Sequence, residues 1–410
     1  MVGLPLLLVA SLAGPNSGGP PAWVRDYTVA YSALYSANAN SLIPAWARKY
    51  NMNCSGCHYP APPRLNATGL RFRWAGYRMP EEIGEKADVE KVQNYFAAGA
   101  EMGYEYEKTS GQPTATDGFT APAVTLFYAG PVGTKYSAFA ELEHGPEGEI
   151  ERIVHVSTLW GREAGYGGLR VGLMHNLSEW GVAGFDRPVG ISAPSPVDGP
   201  VTGAVPFAFG AHALGVEGYY VRGSNRLSAQ VLNGITTEGE PGATDLDTRK
   251  DFLVTDQYIF DKAGSGIQAV AYYGTIVGLD TALAPSLSSH FVRLGLTANK
   301  IYRDFELLGG VIWGKDIDLP GGAADNKGLG YWVSGQYFLP QTPLAVYGRF
   351  EVVDPNTQTA DDANRRYVFG LVLPINLPQY LRWAVEYRLD QPQGGLPKTN
   401  NVATQLLINF

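Results

Sequence analysis

From about Tyr95 to the C-terminus the chain alternates with a period of two, and that pattern leaves few folds open. In residues 95–107, Glu101, Gly103, Glu105 and Glu107 fall on one face, with Ala98, Ala100, Met102, Tyr104 and Tyr106 on the other. Leu381, Trp383, Val385 and Tyr387 alternate with Arg382, Glu386 and Arg388. At the end, Val402, Thr404, Leu406, Ile408 and Phe410 alternate with Ala403, Gln405, Leu407 and Asn409. Successive side chains of a strand point to opposite faces, so each of these runs has one outward and one inward set. Runs of about ten residues suit strands that cross a bilayer with apolar side chains in lipid and polar ones toward a lumen. They also suit a soluble sandwich, and periodicity alone does not separate the two.

Strand number and connection length do separate them. The alternation predicts sixteen strands, near 96–108, 118–129, 134–144, 150–159, 167–175, 209–221, 225–234, 250–260, 265–276, 288–299, 303–314, 328–338, 343–352, 365–374, 379–388 and 401–410. An even count is what single-chain bacterial barrels have. Short links such as Gly130-Pro131-Val132-Gly133 and Arg222-Gly223-Ser224 alternate with longer ones at 235–249, 315–327, 353–364, 389–400 and, longest, 176–208. A membrane barrel with short periplasmic turns and long outer loops has this rhythm, and a sandwich does not. Aromatics near strand ends match interfacial girdles. Phe410 resembles the terminal aromatic of outer-membrane proteins. The expected fold class is all-β: a transmembrane β-barrel of about sixteen antiparallel strands over residues 95–410, in contact with outer-membrane lipid. No stretch reaches the roughly 18 consecutive apolar residues of a helical span.

Composition removes other classes. The net charge is −8 and charged residues make up 17% of the chain, so there is no basic surface for phosphates and no nucleic-acid partner is expected. At the start, Leu4 to Ala10 form an apolar run of signal-peptide length, and Ser11-Leu12-Ala13 suit cleavage, although a basic n-region is missing. Residues 1–39 are read as signal peptide and leader.

Both cysteines lie in Cys54-Ser55-Gly56-Cys57-His58, which rules out a disulfide framework. A structural zinc site wants a second Cys or His pair at close spacing, and a thioredoxin-like redox pair wants a βαβ context; neither is present. Two thiols one helical turn apart can form thioethers to both vinyl groups of a haem, and the adjacent imidazole then falls under the iron. Residues 40–94 are therefore read as a small, mainly helical c-type cytochrome domain with one covalent haem c, held by Cys54, Cys57 and His58. Met79 is the leading candidate for the sixth ligand, with His155 or an open position as alternatives. Trp46, Tyr50, Phe72, Trp74 and Tyr77 are candidates to pack on the porphyrin, and Arg64, Arg71, Arg73 and Arg78 to pair with its propionates. Ordinary packing and solvated charge would account for both groups equally well.

The stretch Pro44-Ala45-Trp46-Ala47-Arg48-Lys49-Tyr50, leading into the haem motif and then a porin-like barrel, resembles the fused monohaem cytochrome–porin family of outer-membrane electron conduits. Its best-known members are iron oxidases. The resemblance implies electron transfer between an extracellular donor, ferrous iron among the options, and a periplasmic electron carrier such as a soluble cytochrome. It carries over Cys54, Cys57 and His58, with Met79 as a candidate, and it supports the reaction type better than the substrate. Lumen carboxylates Glu101, Glu105, Glu107, Glu141 and Glu143 and outer-loop acids Asp316, Asp318, Asp325, Asp354, Asp361 and Asp362 would draw in a small cation, although porin lumens and loops are polar in any case. The alternatives are a diffusion porin whose haem domain gates or anchors the channel, and a periplasmic cytochrome with a soluble β-domain.

Overall fold

The computed structural model describes residues 45–52, 56–58, 64–85, 94–144, 150–175, 190–234, 249–277, 288–319, 323–339, 344–376 and 380–409. The signal-peptide reading, Cys54 and Phe410 lie outside the described residues.

All sixteen expected strands are present. They are β1 (Phe96–Thr109), β2 (Thr116–Pro131), β3 (Tyr136–His144), β4 (Ile150–Arg162), β5 (Gly165–His175), β6 (His212–Arg222), β7 (Asn225–Leu232) and β8 (Asp251–Ile259). There follow β9 (Gly266–Val277), β10 (Ser288–Tyr302), β11 (Phe305–Ile317), β12 (Asn326–Phe338), β13 (Ala345–Asp354), β14 (Asn364–Asn376), β15 (Tyr380–Pro392) and β16 (Thr399–Asn409). Each strand pairs with its sequence neighbours, and β1 pairs with β16 from Gly99↔Asn409 to Thr109↔Thr399, closing the barrel. Closure leaves no unpaired edge. β11 and β15 run three and four residues past their expected ends, to Ile317 and Pro392, where the ladder continues beyond the point at which side-chain alternation is legible.

The outward face is apolar. Leu126, Val156, Tyr220, Phe252, Leu296 and Phe369, from six different strands, are all exposed. An exposed apolar belt around a whole molecule is far larger than water-soluble proteins carry, and hydrocarbon is the medium that matches it. The soluble β-domain alternative fails on this surface. No helix among the described residues is long and apolar enough to cross a membrane.

The inward face departs from expectation. The alternation set polar side chains toward the lumen, yet Leu253, Tyr272, Phe291, Ile312 and Trp332 also point inward and are buried. They are covered because two inserts fill the barrel from opposite ends. The first, residues 45–85, contains α1 (Ala45–Tyr50), α2 (Ala67–Trp74) and a 3-10 turn (Pro80–Glu82), and it occupies the end closed by short turns. The second comes from the long β5–β6 connection, where residues 190–211 fold inward and include the short helix α3 (Ser195–Asp198). Its Val197, Val201, Val205, Phe207 and Phe209 form one core with the inward residues of β8 to β12. This is why β6 begins at His212 and not at 209: Phe209 belongs to the insert. Gly328 lets the loop lie flat on the wall, since a Cβ there would meet the Val201 carbonyl oxygen at 1.8 Å.

Filling is one-sided. The inward residues of β16, β1 and β3, among them Gln405, Glu101, Glu105, Glu107, Glu141 and Glu143, remain half-exposed. The side chains left partly open along this sector are polar.

Candidate functional site

The N-terminal insert is built around α2. Asn66 caps the helix, its side-chain oxygen accepting from Gly69 N–H at 3.0 Å, a contact of the kind that contributes about 1 kcal/mol. Backbone contacts then tie the helix to the motif. Asn66 N–H donates to the Cys57 carbonyl at 2.9 Å, and the Asn66 side-chain amide donates to the Gly56 carbonyl at 3.1 Å. Gly69 is required for this approach, because a Cβ would stand 2.2 Å from the Cys57 carbonyl oxygen.

His58 has a fixed tautomer. Its Nδ1 lies 3.1 Å from the Arg64 carbonyl oxygen. A carbonyl only accepts, so Nδ1 carries a proton. An imidazole held through Nδ1 to a backbone carbonyl is an arrangement that metal-ligating and structural histidines share. Among the described residues no group of three His, Cys, Asp or Glu side chains gathers as it would around a free metal ion.

Around Cys57 lies an apolar cluster of Phe72, Tyr77, Met79 and Ala129, with Trp46, Tyr50, Met52 and Phe139 packed against it. Met79 is buried and shares this cluster with Cys57. Its position is set by Glu82, whose carboxylate accepts from Met79 N–H at 2.9 Å and from the Tyr50 hydroxyl at 2.5 Å, and which pairs with Lys49 at 3.4 Å. Burial, and then the Glu82 carboxylate, push the Tyr50 phenol well above its ordinary value. Met52, placed by sequence on the other side of the motif, packs against the same cluster. His155 is buried on β4 at the cluster's edge, stacked on Phe139 at 5.2 Å and facing Tyr77 at 6.5 Å.

Four of the five aromatics singled out in the sequence therefore belong to the cluster against which Cys57 packs. Trp74 does not: it is fully buried with Leu70 against Leu159, Tyr166 and Tyr219 of the barrel wall. The arginines are a larger correction. Arg64 forms a buried ion pair with Glu306 of β11, and Glu306 also accepts from Asn299 and Gln336. Arg78 donates to the carbonyls of Thr134 and Tyr136 and to Ser137, at the β2–β3 turn, and Arg71 donates to Ser224 at the β6–β7 turn. These three side chains bind the insert to the barrel, so they are not poised for propionates.

Among the acids, Asp316 is not an outer-loop carboxylate. It lies in β11, fully buried, and pairs with Arg293 at 2.8 Å while accepting from Val205 N–H of the loop insert. Asp325 pairs with Lys315 at 2.6 Å. In the open sector Glu105 accepts from Asn401 and Arg388, Glu101 from Gln405, and Glu143 from Thr125. Sequence reasoning missed the carboxylates that hold the loop insert. Glu351 accepts from Ser195 N–H at 2.7 Å and Glu386 from Ser192 N–H at 3.3 Å, while Arg349 donates to the Ser192 carbonyl at 2.9 Å.

No family model and no curated protein matches the chain. Among solved structures it is similar to an anion-selective porin from Comamonas acidovorans, with 12% identity, a TM-score of 0.56, and coverage of 77% of this chain and 98% of the porin. It is also similar to OmpT, an outer membrane protein of Vibrio cholerae, with 11% identity, a TM-score of 0.55 and coverage of 77% and 97%. The outer membrane channel DcaP of Acinetobacter baumannii follows, with 11% identity, a TM-score of 0.53 and coverage of 77% and 96%. The closed barrel thus has the fold of outer-membrane porins.

Proposed function

We propose that the chain is an outer-membrane electron conduit, in which a redox centre seated in the short-turn mouth of a porin-like barrel passes electrons between an external donor and a periplasmic carrier. Cys54 and Cys57 would hold one haem c by thioethers, with His58 as axial ligand and Met79 as candidate sixth ligand. Bound there, the group supplies a one-electron iron couple whose potential depends on axial ligation and burial.

The observation that carries the reading is His58, locked through Nδ1 to Arg64 in a segment that is itself locked to the barrel wall by the Arg64–Glu306 pair. Cys57 packs against an apolar cluster that contains Met79, and Glu82 fixes the Met79 backbone there. The half-exposed sector lined by Glu101, Glu105 and Glu143 offers an external cation a path inward.

That polar sector also favours a second reading: a diffusion porin in which the N-terminal insert is a gate or anchor. Purified protein in sealed liposomes separates the two. The conduit should reduce an enclosed acceptor when a membrane-impermeant donor is added outside, without passing uncharged solutes at porin rates. A colourless protein that passes solutes would leave only the porin. For Met79, replacement by Ala should change the haem spectrum and lower the potential, because a thioether ligand raises it. An unchanged spectrum and potential would leave His155 or an open position.

A further inference from the structure

The short-turn rim is charged on one side only. Exposed Lys135, Arg222 and Lys262 stand on the β2–β3, β6–β7 and β8–β9 turns. On the two turns between and beside them, Arg162 is balanced by Glu163 and Arg303 by Asp304, and Lys300 pairs with Asp261 at 2.8 Å. The sequences of the remaining short turns, 339–344 and 377–379, contain no charged residue. In a chain of net charge −8, three cations without a compensating acid among the described residues stand out along one arc.

These are the same turns that grip the N-terminal insert. Arg78 binds the Lys135 turn through the Thr134 carbonyl, Arg71 binds Ser224 beside Arg222, and Ala67 N–H donates to the Lys262 carbonyl at 3.3 Å. From Lys262 the backbone path to Cys57 is two hydrogen bonds long, through Ala67 and then Asn66 to the Cys57 carbonyl. The exposed acids of the insert, Glu81 and Glu85, lie beyond Met79 on the stretch leading toward β1.

We infer that this arc is the docking surface for an acidic soluble electron carrier, which it would orient over the Cys57–His58 segment. The inference rests on the conduit reading and adds the partner's charge and the face it meets. Charge complementarity of this kind raises association rates and fixes orientation more than it raises affinity. Lipid headgroups are the competing occupant, but lipid surrounds a barrel evenly, and these cations follow the insert and are absent from the turns away from it.

The test uses the full-length protein in neutral lipid, with one acidic and one basic soluble cytochrome of similar potential. The acidic carrier should exchange electrons faster at low salt, and the advantage should shrink as salt screens it. The variant Lys135→Glu/Arg222→Glu/Lys262→Glu should slow that exchange by about tenfold or more, while reduction by a small neutral quinol stays unchanged. Equal rates with both carriers, or no loss in the variant, would overturn the inference. So would a variant whose only change is weaker binding to vesicles of anionic phospholipid. A haem-free wild-type protein would sink the conduit reading instead. Co-sedimentation of the acidic carrier, which needs no redox step, still decides the surface in that case.

Discussion

Two inserts enter the same barrel from opposite ends, and they are held by different chemistry. The loop insert is held by the wall's own carboxylates: Glu351, Glu386 and Asp316 accept from its serines and backbone amides, with Arg349 and Arg293 returning bonds to its carbonyls and Thr202. The N-terminal insert brings its own cations, and Arg71 and Arg78 reach groups of the turns while Arg64 meets the one wall carboxylate committed to it. A peptide held by carboxylates through uncharged donors can be released one bond at a time. A segment locked by a fully buried Arg–Glu pair cannot give up one partner without stranding the other charge. The first design suits a constriction and the second a fixed seat.

Cys54→Ala/Cys57→Ala should have the largest and most selective effect: complete loss of covalent haem on a denaturing gel, with the loop insert and single-channel conductance unchanged. Persistence of covalent haem would break the assignment of function to the N-terminal insert. Next, Glu306→Leu should destabilise the seating of residues 45–85 by about 3–5 kcal/mol, because Arg64 is left buried and unpaired. Limited proteolysis of that segment reads the effect, and pairing the change with Arg64→Met should restore most of the loss. Protection unchanged in Glu306→Leu would erase the contrast between the inserts.

Glu351→Ala with Glu386→Ala should raise conductance by freeing residues 190–211, at about 1.5–3 kcal/mol per charged hydrogen bond lost, while any haem spectrum stays as it was. The smallest effect concerns Tyr50. Its phenol is held neutral in the fold, so this contribution is intact below the unfolded value near pH ~10 and is lost as pH rises above it. Tyr50→Phe should therefore flatten the alkaline loss of protease protection of the N-terminal insert, with protection at neutral pH lowered by the lost Glu82 hydrogen bond.

The sheet was legible because each strand declares its two faces locally, as the run from Glu101 to Glu107 does. The inserts were legible only in part. Arg64 and Glu306 are 242 residues apart, and no local pattern joins them. The loop insert did leave a trace: Val197, Val201, Val205, Phe207 and Phe209 are too apolar for a connection in water, and the fold gives them a core to enter. Cys57 and His58 were singled out because C-x-x-C-H has the spacing that haem attachment requires, and Met79 only as a candidate thioether further along the chain. The hydrogen bond that sets the His58 tautomer was not, since it is made by a backbone carbonyl that any residue could supply.

The seam between β1 and β16 has a consequence for assembly. It joins the first and last strands, with Glu105 bonded to Asn401 and Glu101 to Gln405 across it. While that seam is open the nascent sheet is a curved trough, and both peptides can be laid in from the side. Insertion before the seam zips would spare either peptide from threading a mouth.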